Sequence, residues 1–162
     1  KIPMLSLYEK KEQIFGQFRT GVYPIKKNNV SAIVTALKEG NCFITNAPLL
    51  NISIQSNNSV YCMGSSVNAD YGILNISVIS TPEFGKIKKI VIKKGVIGEK
   101  KELEYFSILN PKMYDINKSI EIYADCDCYF RCEAELESNG NNKKFALTNP
   151  IWLSSIKEDT LN

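Results

Sequence analysis

This sequence predicts a mainly β protein, an immunoglobulin-like antiparallel β-sandwich with one N-terminal helical segment. After Gly40 the apolar residues alternate with polar ones at a period of two, in short runs bounded by Ser, Asn, Gly and Pro clusters. No helical pattern stands between those runs, as the crossovers of a parallel sheet would demand. The strands are therefore expected to pair antiparallel in two packed sheets. The one well-formed amphipathic helical pattern precedes them.

That helix is expected over residues 29–39. Asn28 or Asn29 offers an N-cap oxygen, and Val30, Ile33, Val34 and Leu37 follow the i, i+3, i+4, i+7 spacing of one apolar face. Gly40 supplies a left-handed stop. A short extended piece from Phe18 leads into this helix, and a second, weaker helical pattern covers part of Leu5 to Phe15. Strands are then read, in order, in CFITNA, LNISIQ, YGILNISVIS, KIKKIVIKKG, ELEYFSIL, the long run SIEIYADCDCYFRCEAELE, KKFALTN and IWLSS. Turn chemistry separates them at Ser56-Asn57-Asn58-Ser59, Ser80-Thr81-Pro82, Asn110-Pro111 and Ser138-Asn139-Gly140-Asn141-Asn142, the last as a hairpin tip. Alternation points Leu74, Ile76 and Val78 inward to meet Ile90, Ile92, Phe106, Ile108, Ile120, Ile122 and Phe130, with Trp152 closing one end of the core.

A chain of 162 residues is long enough for one domain with one core. Its apolar content of 44% and charged content of 23% are those of an ordinary globular protein, and no apolar run reaches the ~18 residues of a membrane span. No membrane partner is expected. The opening KIPMLSLYEKKEQ lacks the apolar core and small-residue cleavage site of a signal peptide, so a cytoplasmic fragment of a longer chain is expected. The net charge of +3 is mild. Lys86, Lys88, Lys89, Lys93 and Lys94 surround Ile90 and Ile92 as the solvent face of a half-buried strand, where on an edge they also discourage aggregation. No nucleic-acid partner is expected from them.

The chain contains no histidine, which excludes a His-based metal site and a Ser-His dyad. Cys126, Cys128 and Cys132 form C-x-C-x3-C, without the paired C-x2-C halves of a zinc site. Alternation places them with Phe130, Ala134 and Leu136 on one apolar face, while Asp127, Tyr129, Arg131, Glu133 and Glu135 share the other. They read as core thiols of a reducing compartment. A cysteine nucleophile is disfavoured, since none sits at a predicted helix N-terminus. The N-x-S triplets at Asn51, Asn57, Asn75 and Asn117 read as chance products of an asparagine-rich chain, two of them inside predicted strands.

Residues 18–50, FRTGVYPIKKNNVSAIVTALKEGNCFITNAPLL, run from an extended piece through a capped helix to a strand closing in Thr45-Asn46-Ala47-Pro48. This order resembles the end of the catalytic domain in bacterial PHP (polymerase and histidinol phosphatase) proteins, metal-dependent phosphoesterases in which a T-N-G-P motif leads into an appended β-domain. YGILNISVISTPEFGKIKKIVIKKG, with its Phe84-Gly85 pair, and CYFRCEAELESNGNNKKFALTNPIWLS are similar to that family's later strands and closing hairpin. Two departures stand out. Ala47 replaces the usual glycine, and Ser6-Leu7-Tyr8-Glu9-Lys10-Lys11 stands where an S-D-A-H ligand motif would precede the F-R pair.

The resemblance implies that residues 1–48 are the remnant of a PHP-type domain and 49–162 the β-sandwich. It implies no catalytic residue, metal ligand or cofactor in this chain, with divalent metals held by an upstream domain that is the main partner beside a homo-oligomer. Arg19, Thr45, Asn46 and Asn149 are candidate binding residues near the junction with that domain, Arg19 presenting a guanidinium fork to phosphate. The competing reading is local: Thr and Asn before proline bond their own turns, and Arg19 covers apolar surface. A second functional class also remains, a stand-alone sandwich that binds carbohydrate or another ligand through Tyr71, Tyr105, Tyr123 and Tyr129.

Overall fold

A computed structural model describes residues 17–24, 29–138 and 143–155. The helical pattern within Leu5–Phe15 and most of the Ser138–Asn142 tip lie outside the described residues. The chain runs β1 (Arg19–Val22), α1 (Val30–Lys38), β2 (Cys42–Thr45), β3 (Leu49–Ser56), β4 (Ser59–Cys62), β5 (Ser66–Asn68) and β6 (Tyr71–Ile79). It continues through β7 (Ile87–Val96), β8 (Leu103–Leu109), β9 (Asp115–Tyr123), β10 (Cys128–Leu136), β11 (Phe145–Thr148) and β12 (Ile151–Ser154). Two sheets pack face to face as the sandwich expected from the two-residue periodicity. Among the described residues no helix is long and apolar enough to cross a membrane.

The smaller sheet has the order β4-β3-β6-β9, antiparallel throughout. In the larger sheet β10 pairs along one side with β7, which pairs in turn with β8. Along its other side β10 meets β11 and then β12. The Asn149-Pro150 step separates those two partners. From β11 the sheet continues to β2 and β1, whereas β12 continues to β5 as a parallel pair. The sheet thus runs across residue 48, because β2 hydrogen-bonds to β11 near the other end of the chain.

Alternation fills the space between the sheets. Leu50, Ile52, Ile54, Leu74, Ile76, Val78 and Ile122 from one sheet meet Ile90, Ile92, Cys128, Phe130, Cys132, Ala134 and Leu136 from the other in one buried cluster. Burying such a side chain contributes about 1.5–3 kcal/mol. Phe106, Ile108 and Ile120 are partly buried against that cluster rather than within it.

Four expectations are corrected. Trp152 does not close the core: Ile151 and Leu153 point inward, so alternation turns Trp152 to the outer side, in register with Tyr129 and Ser66. β7 is not an edge, being paired on both sides. The long run from Ser119 to Glu137 is two strands in different sheets, joined by the turn at Ala124–Asp127. Finally, the Ser56–Ser59 loop is a hairpin into the unexpected strand β4; Asn57 and Asn58 have φ of 49° and 59°, as a two-residue primed turn needs.

Candidate functional site

The candidate residues lie around β2. Asn29 caps α1 as expected, its side-chain oxygen accepting the Ala32 N–H at 2.8 Å. Gly40, at φ +75°, turns the chain back so that β2 can enter the sheet. Gly64 comes so close behind that a Cβ there would stand 1.9 Å from the Glu39 carbonyl oxygen. The Asn149 amide fills the remaining gap, donating to the Gly40 carbonyl at 2.9 Å and lying 3.2 Å from Cys42 Sγ. This side chain pins the end of α1 to the β11–β12 break. Asn41, beside it, donates to the Tyr23 carbonyl, while its buried Oδ1 meets no donor among the described residues.

At the other end of β2, Thr45 Oγ1 donates to the Pro48 carbonyl at 2.7 Å and accepts the Ala47 N–H at 3.0 Å, closing its own turn. Asn46 reaches across the sheet instead: its Oδ1 accepts the Phe145 N–H and its Nδ2 donates to the Lys143 carbonyl, both at 2.7 Å. Arg19 stands opposite Thr45 in register and is exposed. Arg19, Thr45 and Asn46 are therefore neighbours, whereas Asn149 is near Cys42, about 10 Å away along the strand. Thr45 and Asn46 spend their hydrogen bonds on backbone, and Asn149 on backbone and the Cys42 thiol, so the three fasten β2 and the end of α1 to the sheet.

The thiols and lysines resolve in local terms. All five cysteines are free, and Cys126, expected in the core, stands half-buried in the turn before β10 because the chain leaves the strand there. Cys128 and Cys132 are fully buried in the core, and burial pushes the Cys128 thiol up to about 11 and that of Cys132 further still. Lys88 pairs with Glu135 and Lys89 with Glu104 across the outer face of the larger sheet. Lys94 turns the other way, donating to the Tyr123 carbonyl and Asp125 over the Phe130 ring, and so covers one end of the core. On the outer face Arg131 grips Glu102 with two hydrogen bonds of 2.5 and 2.6 Å and also pairs with Glu133. The Glu102 carboxyl is held below its ordinary range, first by Arg131 and also by the Tyr129 hydroxyl. Among the described residues no group of three His, Cys, Asp or Glu side chains is placed to hold a metal.

Another grouping emerges on the outer face of the smaller sheet. Tyr71 and Tyr123 are register partners with ring centroids 5.2 Å apart, and Tyr123 donates to the Glu121 carboxylate at 3.0 Å. Tyr105 comes from β8 of the larger sheet, its ring on Phe130 and its hydroxyl donating to the Glu121 carbonyl at 3.4 Å. Tyr129 is elsewhere, on the larger sheet against Glu102. Beyond Tyr71 and Tyr123, Asn51 faces Ser77 and Ser77 faces Asn117, while Ser53 faces Asn75 and Asn75 faces Ser119. Three of the N-x-S triplets thus stack in adjacent strands, Asn and Ser of each on one side because they are two residues apart. The signal was present in the sequence as a recurring triplet, but strand register was needed to see it. In comparisons with known proteins, no family model, curated protein or solved structure matches the chain.

Proposed function

We propose that this chain is the non-catalytic C-terminal β-sandwich of a PHP-type metal-dependent phosphoesterase-like protein, packing against and supporting its preceding catalytic domain. One observation carries the reading. The apolar face of α1 is turned away from the sandwich: Val30, Ile33, Val34 and Leu37 are 78, 41, 42 and 45% exposed, and Ala36 is the buried residue of the helix. An amphipathic helix normally lays its apolar stripe on a core, since each large side chain gains about 1.5–3 kcal/mol there. Here the stripe awaits a partner surface. Phe18 before β1 and Ile44 on β2 are exposed apolar side chains as well.

The motif residues support the same role. Thr45, Asn46 and Asn149 fasten α1 and β2 to the sheet, which gives the exposed stripe a rigid base. The divalent metals would belong to the preceding domain, and five free thiols accord with a reducing cytoplasm. A stand-alone module would have no use for the stripe. The reading requires that the gene encode, upstream of Lys1, ligand runs of the H-x-H and D-x-H kind; an upstream frame without them overturns it. It also requires that the purified chain give no phosphoester turnover with Mn2+, Zn2+ or Mg2+ added, and metal-dependent turnover would equally overturn it.

A further inference from the structure

We propose that the outer face of the β4-β3-β6-β9 sheet binds a neutral glycan, a property independent of the parentage proposed above. Asn is among the residues least suited to a strand. Yet Asn51, Asn75 and Asn117 occupy three adjacent strands, Asn75 being in β6, which is paired on both sides. Together with Ser53, Ser77 and Ser119 they form two uncharged rows of alternating amide and hydroxyl groups. The outer face of the other sheet is built differently, from ion pairs such as Lys88–Glu135 and Arg131–Glu102. Solubility alone would be served equally well by that solution, so three strands of unfavourable asparagine call for another cause.

The hydrogen-bonding capacity of these rows is largely open. Ser119 donates to Asn75 at 2.6 Å and Asn117 donates to Asp115 at 3.0 Å. Among the described residues the side chains of Asn51, Ser53 and Ser77 make no hydrogen bond. Amides and hydroxyls both donate and accept, which matches the hydroxyl-rich edge of a sugar. Two residues further along the strands lie Ile73 and Glu121, and then Tyr71 and Tyr123, 44 and 55% exposed. Their rings, in contact at 5.2 Å between centroids, offer the apolar platform on which the C–H face of a pyranose rests.

Past Tyr71 a hollow of about 350 Å³ opens, lined in part by Gln55, Asn57, Asn58 and Asp70. From Ser77 to Tyr71 the face spans about 20 Å along β6, room for a short oligosaccharide. Surfaces rich in Tyr, Ser and Asn make adaptable contacts at low entropic cost. The carboxylates Asp70, Asp115 and Glu121 along this face oppose an anionic ligand, while of the nearby cations Lys118 shares the side of Ile76 rather than that of the Asn/Ser rows and Lys94 is paired with Asp125. Charge thus selects a neutral glycan over an acidic one or a nucleic acid.

Affinity electrophoresis of the chain through gels containing a soluble neutral glucan, mannan, xylan or galactan tests this, with alginate as the anionic counterpart. Retardation is expected on at least one neutral polymer and not on alginate. Tyr123→Ala and Asn75→Ala should each weaken it tenfold or more, while Tyr123→Phe, which keeps the ring, and Lys88→Ala, on the other sheet, should stay within threefold of the parent. Circular dichroism and thermal melts establish that each variant is folded. Migration unaffected by every neutral polymer would overturn the proposal, as would preferential retardation on alginate. Retardation indifferent to folded Tyr123→Ala and Asn75→Ala would overturn it too.

Discussion

Asn149 joins three elements through one amide, and its removal reads directly on the junction. Asn149→Ala should destabilise the chain by about 0.5–1.5 kcal/mol in urea denaturation, since the Gly40 carbonyl keeps the Cys42 N–H but loses the amide that ties it to the β11–β12 break. The thiols give a second residue-scale outcome. With its pKa raised to about 11, Cys128 is almost wholly protonated at pH 8, and Cys132 is more so. Both should resist a thiol reagent in the native protein and react on unfolding, as peptide mapping after labelling would show. The Glu102 carboxyl, depressed first by its hydrogen bonds from Arg131, stabilises the fold above its unfolded-state value of about 4.3, and this is lost as pH falls through the lower folded-state value. Glu102→Gln should therefore lower the melting temperature at pH 7, at a cost of about 1 kcal/mol, and that cost should shrink as the solution is acidified below about 4.3. At this scale the sequence was informative about Thr45, whose self-closed turn follows from a threonine before an Asn-Ala-Pro step. The same local reading fails for Asn46 and Asn149, whose partners Phe145 and Gly40 are about a hundred residues distant along the chain.

Among the elements, α1 was readable almost to the residue, because its cap, spacing and glycine stop are all local signals. Its environment was not readable: an i, i+3, i+4, i+7 pattern marks an apolar face without naming what covers it. Ile33→Asp and Leu37→Asp should change the stability of this chain by no more than about 0.5 kcal/mol, as for exposed positions. A loss above about 2 kcal/mol in denaturant melts would show the stripe to be covered by the chain itself. The β3–β4 hairpin was hidden for a related reason. Asn57-Asn58 was legible as turn chemistry, but the brief Ser59–Cys62 run carries too little alternation to announce a strand. The reverse error joined β9 to β10, because Ala124–Asp127 continues the alternation through a turn that sends the chain to the other sheet.

Over the whole molecule, the inner faces of the two sheets follow from period-two patterning, and the sandwich was foreseeable for that reason. The crossing of the sheet from β11 to β2 was not, since pairing between distant segments leaves no mark in either. What distinguishes the molecule is how its exteriors differ: an ion-paired face, an Asn/Ser/Tyr face, and an apolar helix stripe held on a hydrogen-bonded base. The proposed docking role rests on that stripe. A longer polypeptide that includes the residues encoded before Lys1 can be compared with the present chain by hydroxyl-radical footprinting at Ile33, Val34 and Leu37. Protection of these side chains by tenfold or more in the longer polypeptide, with free oxidation in the present chain, is the expected result. Equal oxidation in both would contradict the docking of α1 on a preceding domain.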